Sequence, residues 1–138
     1  MKENSNVTYD KAYKFAIRIV NAYKYLQKEK KEFILSKQLL RSGTSIGANI
    51  AEANGGISPA DFSAKISIAY KETLETKYWL SLLKDTGYID EKSFSNIYQD
   101  ADEIDERPRV GVRRKGMREL PKYYFLFSKV PELKPDKC

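Results

Sequence analysis

The chain has 138 residues, no histidine and a single cysteine, Cys138 at the last position. A lone thiol cannot close an internal disulfide, and without imidazole there is no ordinary zinc site, no histidine-dependent triad and no His-based acid–base pair. No window approaches the ~18 uninterrupted apolar residues that a bilayer crossing requires. The opening Met1-Lys2-Glu3-Asn4-Ser5-Asn6 has no apolar run behind it, so a cleaved secretory signal is not expected and a cytoplasmic address is. Period-two alternation between helical stretches is also missing, which argues against a βαβ architecture.

What remains is 41% apolar and 32% charged, a mixture suited to one soluble domain that buries roughly 68–70% of its unfolded surface. The net charge of +6 is unevenly placed. Residues 1–104 carry 15 Lys and Arg against 14 Asp and Glu, whereas residues 105–138 carry 10 against 5. A basic isoelectric point ordinarily hints at a polyanionic partner, but here the excess belongs to the last quarter.

Apolar residues recur in steps of three and four at Tyr9, Ala12, Tyr13, Ala16, Ile19, Val20, Tyr23 and Leu26, predicting a helix over 9–29 with Thr8 or Asp10 as cap. A second stripe through Leu35, Leu39, Ser42, Ile46, Asn49, Ile50 and Ala53 predicts a helix over 35–54. It should stop at Gly55-Gly56, where glycine reaches the left-handed conformation cheaply. The third helix, 58–84, has Ser58 at the N-cap, Pro59 at the first position and Asp61 two residues on. Its stripe runs Phe62, Ile66, Ala69, Thr73, Thr76, Leu80, Leu83, and a second line through Ile68, Trp79 and Leu82 suggests more than one neighbour. Lys71 and Glu75 are spaced as an i,i+4 pair, and Asp85-Thr86-Gly87 ends the helix. A fourth stripe, Phe94, Ile97, Tyr98, Ala101, Ile104, starts near Asp90 and stops before Arg107-Pro108.

Four helices with short links predict an all-α, up-and-down antiparallel four-helix bundle over 9–106. It is preceded by a flexible N-terminus, 1–8, and followed by an irregular basic tail, 107–138. That tail holds four prolines, the cluster Arg113-Arg114-Lys115 and one strand-like run, Tyr123-Tyr124-Phe125-Leu126-Phe127.

Within the second helix, Ser42-Gly43-Thr44-Ser45-Ile46-Gly47-Ala48-Asn49 packs two glycines and three hydroxyls into eight residues, at about 1 kcal/mol per glycine relative to alanine. Gly43 and Gly47 share a face, so close approach of a neighbouring helix, inside the subunit or across an interface, is the expected compensation. Asn49 lies on the apolar stripe, where a buried amide must find partners and so fixes register.

The run Lys37-Gln38-Leu39-Leu40-Arg41-Ser42-Gly43-Thr44-Ser45-Ile46-Gly47-Ala48-Asn49-Ile50-Ala51-Glu52-Ala53, with Ser67-Ile68-Ala69-Tyr70-Lys71-Glu72 and Glu75-Thr76-Lys77-Tyr78-Trp79-Leu80, resembles the bacterial four-helix-bundle proteins encoded in 23S rRNA intervening sequences, often labelled S23 ribosomal proteins. The resemblance covers roughly residues 7–104. Related proteins include the accessory variability determinant of diversity-generating retroelements, a homopentameric barrel that binds nucleic acid alongside a reverse transcriptase. The resemblance implies a non-catalytic homo-oligomer, a pentamer by family, that binds RNA or other nucleic acid or associates with the ribosome. The alternative is a structural assembly module acting through protein partners only. Family members usually continue the fourth helix past the position of Ile104, whereas this chain turns to Asp105-Glu106-Arg107-Pro108; a changed reading frame is one hypothesis for the last quarter.

Lys37 and Arg41 lie one turn apart, and Lys24, Lys28, Lys30 and Lys31 cluster at the first turn, so together they are the expected nucleic-acid-binding residues. An oligomer would repeat such a rim around its axis, adding counterion release with each phosphate neutralised. For Arg41 a planar fork on phosphate and a salt bridge to a glutamate both stand. Glu52, Glu72 and Glu75 are expected to form ion pairs, because di-iron carboxylate bundles need Glu-x-x-His; no metal, cofactor or catalytic residue is expected. Tyr70, Tyr78 and Trp79, with lysines between, could stack bases, but packing or an interface is the expected role.

Overall fold

The computed structural model describes residues 2–106, with side chains described from 7 to 105. The tail expected over 107–138, its strand-like run included, lies outside the described residues. Among the described residues there are four helices and no strand: α1 (Lys2–Lys28), α2 (Leu35–Asn54), α3 (Pro59–Asp85) and α4 (Glu91–Glu106). Each packs on the next in chain order and α4 closes back onto α1, which is the up-and-down antiparallel bundle.

The helix starts and stops follow from local chemistry. α1 is helical from Lys2, ahead of the position-9 start and the flexible lead that the sequence suggested, and Thr8 is buried within it rather than capping it. The stretch contains neither proline nor glycine, so its polar composition is no barrier to helix. α2 keeps the expected bounds but not the expected stop: Gly55 has φ −92° and ψ 8°, outside the left-handed region. The tight position is Gly56 instead, where a Cβ would lie 3.0 Å from both the Ala53 carbonyl and Asp61 Oδ2 as the chain turns into α3. Ser58 Oγ accepts the Asp61 N–H at 3.1 Å, with Pro59 at the first helical position. α3 ends in a Schellman turn: Gly87 adopts φ +85°, and the N–H groups of Gly87 and Tyr88 bond the carbonyls of Lys84 and Leu83 at 3.0 and 2.9 Å. Asp90 then caps α4, its Oδ1 accepting the Ser93 N–H at 2.7 Å.

Phe15, Ile19 and Leu26 from α1, Leu39, Ile46 and Ile50 from α2, Leu80 and Leu83 from α3, and Ile97, Ala101 and Ile104 from α4 fill the core. The hydroxyls on this apolar surface are satisfied locally. Thr73 Oγ1 donates to the Ala69 carbonyl at 2.8 Å, and Thr76 Oγ1 lies 2.7 Å from the Glu72 carbonyl and 3.0 Å from Ser42 Oγ, tying α3 to α2.

The glycine-rich segment is where α1 comes closest. A Cβ on Gly43 would fall 2.8 Å from both Cγ atoms of Ile19, and one on Gly47 would fall 3.6 Å from Ala12. Both glycines therefore face a helix of the same subunit, and their spacing is no argument for a second chain. Asn49 departs from expectation too: it is half-buried, and its Nδ2 donates to the Ser45 carbonyl one turn back on α2 at 2.8 Å. A bond inside its own helix sets no register between helices.

Candidate nucleic-acid interface

Basic side chains are divided between two tasks. α4 is acidic, with six Asp and Glu against one Lys, and α1 is basic, with six Lys and Arg against two acids. Their seam joins these signs: Lys11 meets Glu103 at 3.4 Å, and Arg18 meets Asp100 and, at 2.7 Å, Asn96 Oδ1. On the other side of α4, Lys77 of α3 pairs with Asp102 and lies 3.0 Å from Asp105. Lys84 reaches Glu91 at 3.8 Å and sits 4.4 Å over the Phe94 ring.

Lys77 and Asp105 are the most enclosed of these charges, their side chains 13% and 4% exposed. Burial by itself would depress the Lys77 pKa, but the hydrogen bond it donates to Asp102 and the charges of both aspartates outweigh it and hold the ammonium above its ordinary range. Sequence reading passed over this pair, because Lys77 and Asp105 lie 28 residues apart on two helices and helical periodicity does not show which side chains meet across a bundle.

Arg41 also has a structural partner. Its guanidinium crosses to α3, pairing with Glu75 and lying 3.7 Å from Glu72. The salt bridge is thus the arrangement observed, and Glu75 takes Arg41 in place of the expected Lys71, which is exposed. Glu52 pairs with Lys65 at 3.3 Å. All three glutamates weighed as ligands are engaged in ion pairs.

The lysines of the first turn are arranged differently. Lys24 and Lys28 at the end of α1, Lys30 and Lys31 in the connection, and Lys37 in the first turns of α2 are all exposed, and none joins an ion pair among the described residues. Two acids share the segment with them. Glu29 is exposed, whereas Glu32 is turned inward to hold the start of α2. Its Oε1 accepts the N–H groups of Ile34 and Leu35 at 3.0 and 2.9 Å, and its Oε2 accepts that of Ser36 at 2.7 Å. Desolvation pushes its pKa up, yet the bonds from Leu35, Ser36 and Ile34 prevail and keep the carboxyl below the usual range. A carboxylate on the open N–H groups of a helix start also meets the positive end of the helix dipole. With Glu32 so committed, the end of the bundle where α1 meets α2 presents these lysines with exposed Glu29 among them, and Asp90 at the start of α4, whose carboxyl the Ser93 bond holds below the usual range, lies close enough to Lys30 for that charge to help.

Sequence reading missed the apolar side chains among these lysines. Tyr25, Phe33 and Ile34 are 45%, 50% and 75% exposed. The signal was present, since Phe33-Ile34 precedes the stripe of α2 without belonging to it. Tyr70 and Trp79 on α3 are half-buried, and Trp79 packs against the core with Tyr78 edge-on to it at 5.0 Å; Tyr78 is exposed. These three aromatics lie away from the lysine segment in sequence.

No described helix is long and apolar enough to cross a membrane. Comparison with known proteins yields a family and a structural neighbour. The model of the 23S rRNA-intervening sequence protein family matches residues 4–107. The crystal structure of a protein of unknown function from the S23 ribosomal protein family of Bacteroides thetaiotaomicron is 54% identical, with a TM-score of 0.74 over 75% of this chain and 92% of that one. No curated protein matches. With the bundle closed by four helices and the family model spanning all of them, this chain belongs to the 23S rRNA-intervening sequence protein family.

Proposed function

We propose that the chain is a non-catalytic RNA-binding accessory protein that grips phosphates with Lys24, Lys28, Lys30, Lys31 and Lys37. The observation that carries this reading is the cluster of exposed lysines without ion-pair partners at one end of the bundle, set against a body whose other interhelical cations are spent on carboxylates. Arg41 supports the rim by bracing α2 on α3 and is not itself a phosphate ligand. RNA is the polyanion that the family resemblance implies. As part of the same reading the chain acts as a homo-oligomer, a pentamer by family resemblance, in which the lysine end repeats around the axis. Exposed Tyr13 and Ile17 on α1 and Ile68 and Tyr78 on α3 are the apolar surface available for such contacts.

Binding of a structured RNA measured between about 50 and 200 mM salt tests the reading. Each phosphate contact adds about −0.7 to −0.9 to the slope of log K against log salt. Replacing Lys28 and Lys31 together by alanine should flatten that slope by about 1.5 with the fold unchanged. Absence of affinity at low salt, or a slope near zero, overturns it and leaves the assembly module acting through protein partners.

A further inference from the structure

We infer that the lysine end of the bundle selects unpaired nucleotides, with Phe33 as a stacking platform for an exposed base and Tyr25 as a second. This inference deepens the RNA-binding reading and rests on it. Phe33 is half-exposed in the connection between α1 and α2, with Lys30 and Lys31 just before it and Lys37 one turn beyond. Tyr25 is 45% exposed on the last turns of α1, with Lys24 beside it and Lys28 three residues on. Aromatic faces interleaved with unpaired ammonium groups are the two components of single-strand recognition: cations track the backbone while bases stack on rings.

The platform is braced. Glu32 donates its N–H to the Leu26 carbonyl at 3.0 Å, and its carboxylate holds the N–H groups of Ile34, Leu35 and Ser36. The residues on either side of Phe33 are therefore anchored, and the ring stands in water at small further cost in order. A duplex would satisfy the lysines but keeps its bases stacked inside, and the deep, narrow major groove of A-form RNA admits no side chain to them. A protein partner fits less well, because lysine is depleted from the centres of protein interfaces and here exposed lysines flank Phe33 and Ile34 in the chain.

The test uses the full chain and two fluorescein-labelled RNAs, a single strand of about twelve nucleotides and a blunt hairpin of similar phosphate number whose strands are joined by a polyethylene-glycol linker in place of a nucleotide loop. The single strand should bind more tightly than the hairpin. Phe33→Ala should weaken the single strand about five- to 150-fold, the range of one base–aromatic stack, and leave hairpin affinity and both salt slopes unchanged. Phe33→Trp should retain affinity, and its added indole emission should be quenched by the single strand and not by the hairpin. Equal affinity of wild type and Phe33→Ala for the single strand overturns the inference, as does a Phe33→Ala variant whose only change is a lower oligomer mass, which would assign the ring to a protein contact. In either case a flatter slope in Lys28→Ala/Lys31→Ala leaves phosphate binding standing. If that double variant and wild type are indistinguishable on both probes, the phosphate reading falls, and this one with it.

Discussion

Alanine at Gly43 and alanine at Gly47 should move stability in opposite directions, although the two glycines sit one turn apart on the same helix. Each substitution recovers up to about 1 kcal/mol of helix propensity. At Gly47 nothing opposes that gain, because the new methyl would meet Ala12 at 3.6 Å, an ordinary contact. A net stabilisation of about 0.5–1 kcal/mol is expected. At Gly43 the methyl would lie 2.8 Å from both Cγ atoms of Ile19 and 3.1 Å from its Cδ1. Ile19 is fully buried, and a β-branched side chain on a helix has essentially one χ1 well, so it cannot swing aside. Overpacking of this kind costs about 1–3 kcal/mol, which exceeds the propensity gain and leaves a net loss of up to about 2. Urea unfolding followed by far-ultraviolet circular dichroism, at one fixed protein concentration because association shifts apparent stability, measures both. Ile19→Ala closes the cycle. Alone it should cost about 2–5 kcal/mol, but in its background Gly43→Ala should become neutral or stabilising, a coupling of about 1–3 kcal/mol. Gly43→Ala that stabilises wild type as Gly47→Ala does, or that adds independently to Ile19→Ala, would refute close packing of α1 at this position.

Glu32→Gln should destabilise by about 0.5–2 kcal/mol, the range for a lost helix cap. Because the folded pKa lies below the ordinary 4.5, the charge-dependent part of this stabilisation is present above that value and lost as pH falls through the folded pKa. Urea midpoints of variant and wild type should therefore converge below pH 4.5. Lys77→Met should cost about 3–5 kcal/mol by leaving buried Asp105 without its ammonium; the double variant with Asp105→Leu should regain much of it. With the Lys77 pKa raised above 10.5, its contribution holds below that pH and is lost on further alkalinisation, which circular dichroism would register as an alkaline loss of helix absent from the double variant. Arg41→Gln should cost no more than about 1 kcal/mol, since the pair is exposed, and should leave the salt slope of RNA binding unchanged. A slope reduced as much as by a lysine substitution would return Arg41 to the phosphate surface.

The parts of the fold legible in the sequence are those where one local rule acts without competition. The Ser58-Pro59-Asp61 start of α3, its six-residue buried stripe and the bounds of α2 follow from capping chemistry and a 3.6-residue period. The places that misled are those where a residue has two physical uses. Gly55-Gly56 reads as a left-handed stop, but Gly55 is not left-handed and Gly56 serves close approach, because steric room and backbone freedom are both properties of glycine. Glu75 is spaced for Lys71 on its own helix but is claimed by Arg41 from α2, whose planar fork also approaches Glu72. Of the candidate site, the lysines were legible as a run of like charge. That Glu32 is withdrawn from that run, and that Phe33 stands outside the core, depend on the path of the connection, which periodicity does not encode.

Net charge is a poor guide to this molecule, and the reason is structural. Over residues 1–104 the two signs nearly cancel, yet cancellation in the sum is cancellation in space only at certain seams. Where α4 meets α1 and α3, cations from both neighbours reach the acids of one helix, and their charge is consumed in holding the bundle closed. In the α1–α2 connection one of the two carboxylates is drawn into a helix start, leaving exposed lysines that join no ion pair among the described residues, with Glu29 beside them and Asp90 within electrostatic reach of Lys30. A protein can therefore offer a polyanion exposed cations that hold no ion pair while carrying almost no charge excess through its folded body, provided that enough of its acids are placed where they are structurally occupied. In this chain α4 and Glu32 perform that placement, so the determinants of the candidate binding surface include acids that a polyanion would never touch.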